Sequence, residues 1–92
     1  MNIRWSLEAR DDVDRLVEFV SVHDPSLAND IERELSQAPR RLLHFPRRGP
    51  RLSMFDLREV REYRVRNYLI RYEVSSADIV VLRVFHARED RF

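Results

Sequence analysis

Apolar residues recur at spacings of three and four along the first half of the chain and at spacings of two along the second. Ala9, Val13, Leu16, Val17 and Val20 form one stripe, with Asp11, Asp12, Asp14, Arg15 and Glu18 between them. That period predicts an amphipathic helix with one buried face. Ser6 stands where a cap belongs and Glu8 falls in the first turn, both favourable at a helix start. Before it, Asn2 to Trp5 reads as a brief strand. His23-Asp24-Pro25 ends the helix and starts another, with Asp24 as cap and Pro25 at the first helical position. Leu27, Ile31, Leu35, Ala38 and Leu42 keep the same rhythm. So few residues join the two helices that they should form an antiparallel hairpin. Pro39 removes a backbone donor inside the second pattern, which predicts a kink or restart there. Pro46, Gly49 and Pro50 close the helical part.

The period then falls to two. In YLIRYEV, Tyr68, Ile70, Tyr72 and Val74 point one way and Leu69, Arg71 and Glu73 the other, as in a strand with one buried face. Ser75 to Asp78 make a turn. DIVVLRVFH is apolar on both faces, the mark of a central strand. Upstream, REVREYRV is a more polar strand that turns at Arg66-Asn67. The three form an antiparallel meander. The order is β-α-α-β-β-β, an α+β fold with a helical hairpin packed on a twisted antiparallel sheet.

Composition narrows the function classes. Ninety-two residues suit one domain, 1–92, with a single core. No run of eighteen apolar residues is present to span a membrane, and the amino terminus lacks the apolar stretch of a secretory signal, so the expected location is the cytoplasm. Without cysteine there is no disulfide, thiolate catalysis or cysteine-ligated zinc. No phosphate loop or metal-ligand spacing occurs, and His23, His44 and His86 are scattered, so no cofactor is expected. The net charge of +1 hides an asymmetry. Residues 1–38 carry four Arg against nine acids, and residues 39–92 carry thirteen Arg against seven. A basic second half, all arginine and no lysine, implies an anionic partner, nucleic acid or acidic peptide.

The chemistry-bearing candidates lie in that half. His86 ends the last strand, continuing the Leu82 and Val84 face. It is either an acid or base, with a reference pKa of about 6.5, or a ring packed at the sheet edge. Arg88 and Arg91 follow it, as partner contacts or a solvated chain end. Arg40, Arg41, Arg47, Arg48, Arg51 and Arg58 face only Asp56 in nineteen residues, which points to a docking patch. Tyr63, Tyr68 and Tyr72 alternate with aliphatics and read as core, and Trp5 as a residue packed on the helix hairpin.

The opening strand with SLEARDDVDRLVEFV, then PSLANDIERELSQA, LLHFPRRGPRL, LREVREYRVRNYLIRYEV and IVVLRVFHARED, together resemble the RelE/ParE superfamily of type II toxin–antitoxin modules. The likeness runs through nearly the whole chain and implies two possible activities. RelE-like members cut ribosome-bound message, whereas ParE-like members poison DNA gyrase. Carried over by position, Glu62 and Arg64 stand where the nucleases often have a lysine pair, and Leu69 where they have arginine. Arg88 matches a basic position after the last strand, and Phe92 leaves no counterpart for a terminal tyrosine. The nuclease set is thus largely missing, and the ParE-like branch is the expected one, a binder rather than an enzyme.

The resemblance then implies a growth-arresting toxin of the plasmid-stabilisation type. Its target is gyrase, and its partner is a ParD-like antitoxin whose acidic and apolar tail folds onto it in a hetero-oligomer. Arg47, Arg48, Arg51, Arg58, Arg88 and Arg91 are the expected partner contacts. The alternative is an atypical RelE-like ribonuclease using Arg64, His86 and Arg88. A third reading is an antitoxin-binding module that is no longer toxic.

Overall fold

The computed structural model describes residues 1–89. Strand β1, Asn2–Trp5, leads directly into helix α1, Leu7–Ser21, and helix α2, Pro25–Gln37, runs back against it. A 3₁₀ turn over Ala38–Leu43 follows, then strands β2, Val60–Val65, β3, Tyr68–Val74, and β4, Asp78–His86.

The local causes are those of the sequence. Ser6 Oγ accepts from Ala9 N–H at 3.0 Å and caps α1, while its own N–H donates to Val81 C=O at 3.0 Å. One residue thus ends the strand pairing and starts the helix. Asp24 Oδ1 caps α2 through Leu27 N–H at 3.1 Å, with Pro25 in the first turn. The missing donor of Pro39 ends the α-helix, and the chain tightens into the 3₁₀ turn.

The sheet order is β1-β4-β3-β2, with β4 and β3 inside. β2, β3 and β4 form the expected antiparallel meander. β1 joins it parallel to β4, Asn2 opposite Asp78 and Trp5 opposite Val81, so the four-stranded sheet is mixed. A crossover through two helices permits that parallel pair. The stripes Ala9, Val13, Leu16 and Ile31, Leu35, Ala38, Leu42 close on Tyr63, Tyr68, Ile70, Tyr72, Ile79, Val81 and Val84. Trp5 packs partly buried against this core. Each fully buried aliphatic there contributes about 1.5–3 kcal/mol.

One irregularity matters for the site. Arg71 pairs with Arg83, but Tyr72 pairs with Val81, so Leu82 is an extra residue in β4. The sequence reading placed His86 on a common Leu82–Val84 face. The bulge breaks that parity: Ile79, Val81, Val84 and His86 lie opposite Val74, Tyr72, Ile70 and Tyr68, and it is these that share the helix-facing side. Arg91, an expected partner contact, lies outside the described residues.

Candidate functional site

β4 is covered by β1 only as far as Val81, and beyond it carboxylates take the place of a strand. Asp12, buried on α1, accepts from Val84 N–H at 2.9 Å. It also receives a two-point bond from Arg83, Nε at 2.7 Å and Nη2 at 3.0 Å. Glu89 Oε1 accepts from His86 N–H at 2.7 Å, and its carboxylate is held by Arg15 at 3.1 and 3.3 Å. The exposed edge of β4 is thereby closed against stray strand pairing. Burial pushes the Asp12 carboxyl up, but the bonds from Arg83 and Val84 N–H and the charge of Arg83 outweigh it, leaving the pKa below its ordinary value. Glu89 is lowered too, burial opposing, with Arg15 and the His86 N–H prevailing.

The His86 ring stands edge-on to Tyr68, centroids 5.5 Å apart, and its Nδ1 accepts from Arg88 N–H at 3.1 Å. Tyr68 and His86 line a groove of about 700 Å³ against the second half of α1. Phe19 and Val22, each 75% exposed, form its apolar side. Arg15, Arg88 and the carboxylates of Glu18 and Glu89 rim it.

The arginine-rich stretch folds as a loop pressed on β2. Gly49 sits so close to that strand that a Cβ would lie 2.1 Å from Glu62 C=O. Gly49 N–H donates to Tyr72 Oη at 3.1 Å, and the Tyr72 hydroxyl donates to Pro46 C=O at 2.7 Å. Burial raises the Tyr72 pKa and keeps that hydroxyl a donor. Arg47 is held by Glu59 at 2.9 Å, and Arg58 by Glu73 at 2.7 and 3.1 Å. Arg51 donates to the carbonyls of Asp56 and Arg58. Three of the six arginines therefore staple the loop to itself and to the sheet. Arg48 differs: its guanidinium lies over the Tyr63 ring, 5.4 Å from the centroid, with no carboxylate partner among the described residues.

The face of the sheet turned away from the helices carries Glu62, Arg64, Leu69 and Arg71. Arg71 is buried and donates to Glu62 Oε2 at 3.0 and 3.2 Å. Its guanidinium lies 5.4 Å from the Phe55 ring and 5.1 Å from Phe85. Arg64 bonds the Arg66 carbonyl and Asn67 Oδ1, across the hairpin turn. Arg64 lies opposite Leu69, which lies opposite Phe85, while His86 lies opposite Tyr68. Arg64 and His86 thus occupy opposite faces of the sheet and do not converge on one substrate atom. Arg88 accompanies His86, not Arg64.

Sequence reasoning missed Asp12, Phe19, Val22, Arg71 and Glu89. Asp12 carried a signal, an acid within the Ala9–Leu16 stripe. Phe19 carried another, an aromatic beside the stripe instead of on it.

A model of the family described as the ParE toxin of the type II toxin-antitoxin system, parDE, matches residues 3–91. No curated protein matches in sequence. Among solved structures, one titled the chromosomal ParDE TA system from P. aeruginosa superposes with a TM-score of 0.77 at 18% identity. The match covers 94% of this chain and 95% of that one.

Proposed function

The chain belongs to the ParE toxin family of type II toxin–antitoxin systems, and on that premise we propose that it arrests growth by binding DNA gyrase and is neutralised by a cognate antitoxin. The observation that carries this reading is the separation of Arg64 from His86. Cleavage of an RNA phosphodiester needs a base, an acid and a cation around one phosphate. Here the histidine faces the helices, the arginine faces the other side and is bonded to its own turn, and the outer-face Arg71 is neutralised by Glu62. Leu69, between them on the outer face, offers no charge.

Antitoxin binding is assigned to the groove between α1 and the end of the sheet. Phe19 and Val22 would receive apolar side chains of a folding tail, and Arg15 and Arg88 its carboxylates. No helix of the described residues is long and apolar enough to cross a membrane. A cytoplasmic toxin that meets gyrase and antitoxin there fits this architecture.

The test is growth arrest in cells expressing each variant, with message ends sequenced in parallel. His86→Ala should stay toxic and leave message ends unchanged. Ribosome-dependent cleavage by the wild type that disappears in His86→Ala would replace this reading with the ribonuclease.

A further inference from the structure

The arginines of this chain divide sharply by partner. Arg47, Arg58, Arg61, Arg66, Arg71 and Arg83 each face a carboxylate within 3.0 Å. Arg41, Arg48 and Arg64, like Arg10, Arg40, Arg51 and Arg88, have no ion pair among the described residues, and these three lie along one stretch of the β2 edge, where Arg41 and Arg48 both meet Tyr63. Arg41 Nη1 donates to Tyr63 Oη at 3.3 Å, and Arg48 lies over the Tyr63 ring. Arg64, the next residue on β2, turns to the outer face and bonds the Arg66 carbonyl and Asn67 Oδ1, but it borders the same shallow cleft, of about 310 Å³, as Arg48 and Tyr63. The one acid lining it, Glu62, is held by Arg71. The hydrogen bond to Tyr63 raises the Arg41 pKa further above its already high ordinary value. Positive charge without a directly bonded carboxylate is therefore concentrated at the β2 edge, with Glu34 acting on Arg41 only at longer range.

We propose that Arg41, Arg48 and Arg64, along the β2 edge at Tyr63, form a surface that grips the phosphate backbone of duplex DNA. Guanidinium forks match phosphate oxygens in two-point geometry. Two observations separate duplex DNA from the other polyanions. Single-stranded nucleic acid is held largely by bases stacking on exposed aromatic rings. Tyr63 is only 8% exposed and its face is covered by Arg48, so no platform is offered. An acidic peptide segment needs apolar anchor pockets. This cleft is lined by Pro50, Gly49 and a half-buried Leu69, with no large exposed apolar side chain. Contacts limited to phosphates position a protein on DNA without reading sequence. The inference goes beyond the gyrase reading and does not depend on it, because it concerns the toxin and DNA alone.

The experiment is fluorescence anisotropy of the full chain with labelled duplex DNA, single-stranded RNA and a glutamate-rich peptide, across a salt series. Duplex DNA should bind best, with a slope of log K against log salt of about −3 for three phosphate contacts. Arg41→Ser, Arg48→Ser and Arg64→Ser together should weaken duplex binding at least tenfold and flatten the slope. Arg4→Ser, Arg33→Ser and Arg66→Ser remove the same charge from exposed, paired positions away from the loop and should leave both within twofold. Arg64→Ser alone, at an exposed position, gives a variant whose fold is safe and should weaken binding about threefold. Equal losses in the two triple variants, no duplex binding at low salt, or preference for the RNA or the peptide would overturn the proposal.

Discussion

Asp12 shows how much one side chain carries here. It joins α1 to β4 just past the bulge at Leu82, accepting from a backbone N–H and from Arg83 at once. Asp12→Ala leaves the Val84 N–H unpaired beside a partly exposed guanidinium, which should cost about 2–3 kcal/mol. Chemical denaturation would measure it. Its pKa lies below the ordinary value of 3.8 in the folded chain. A carboxyl lowered in this way adds stability above its unfolded pKa and loses it as pH falls through the folded one. Melting temperature should therefore drop below about pH 4, and Asp12→Asn should remove part of that drop. Glu59, Glu73 and Glu89 are lowered as well and act in the same direction. At the groove, Phe19→Ser with Val22→Ser should barely alter stability, because both are exposed, yet weaken antitoxin binding by about tenfold or more. Titration calorimetry against the antitoxin separates the two effects.

At the scale of elements, the loop from Pro46 to Arg51 is set by contact with β2. Gly49→Ala drives a methyl into the Glu62 carbonyl, so loop or strand must move. A loss of about 3 kcal/mol is expected, read from the thermal melt. The helices and the meander were legible because period 3.6 and period 2 are printed in the apolar spacing. Caps at Ser6 and Asp24 and the break at Pro39 were legible for the same local reason. Two features were not. The parallel pairing of β1 was hidden because four residues carry no information about which strand they join. The bulge was hidden because β4 is apolar on both faces, so an extra Leu82 breaks no visible alternation. That hidden residue changed the meaning of His86, whose face was read correctly with respect to Val84 and wrongly with respect to Leu82. Likewise, the arginine stretch was visible in the sequence, but which arginines keep free donors depends on Glu59 and Glu73, which only the fold brings near.

For the whole molecule, the acidic half and the basic half become different surfaces. The helical hairpin holds most of the acids, and the loop and sheet that follow hold most of the arginines. On the proposed reading, the apolar groove serves the antitoxin, and the basic edge, lying elsewhere, is left free for a polyanion. If the proposed reading holds, antitoxin binding at the groove and growth arrest should be separable by mutation. The most direct measurement is a purified gyrase reaction with plasmid DNA, in which covalently held broken DNA is trapped by detergent and protease. The wild-type chain should accumulate broken plasmid, His86→Ala should do so almost equally, and added antitoxin should prevent it. A gyrase reaction unaffected by saturating toxin, alongside cleavage of message on ribosomes, would contradict it.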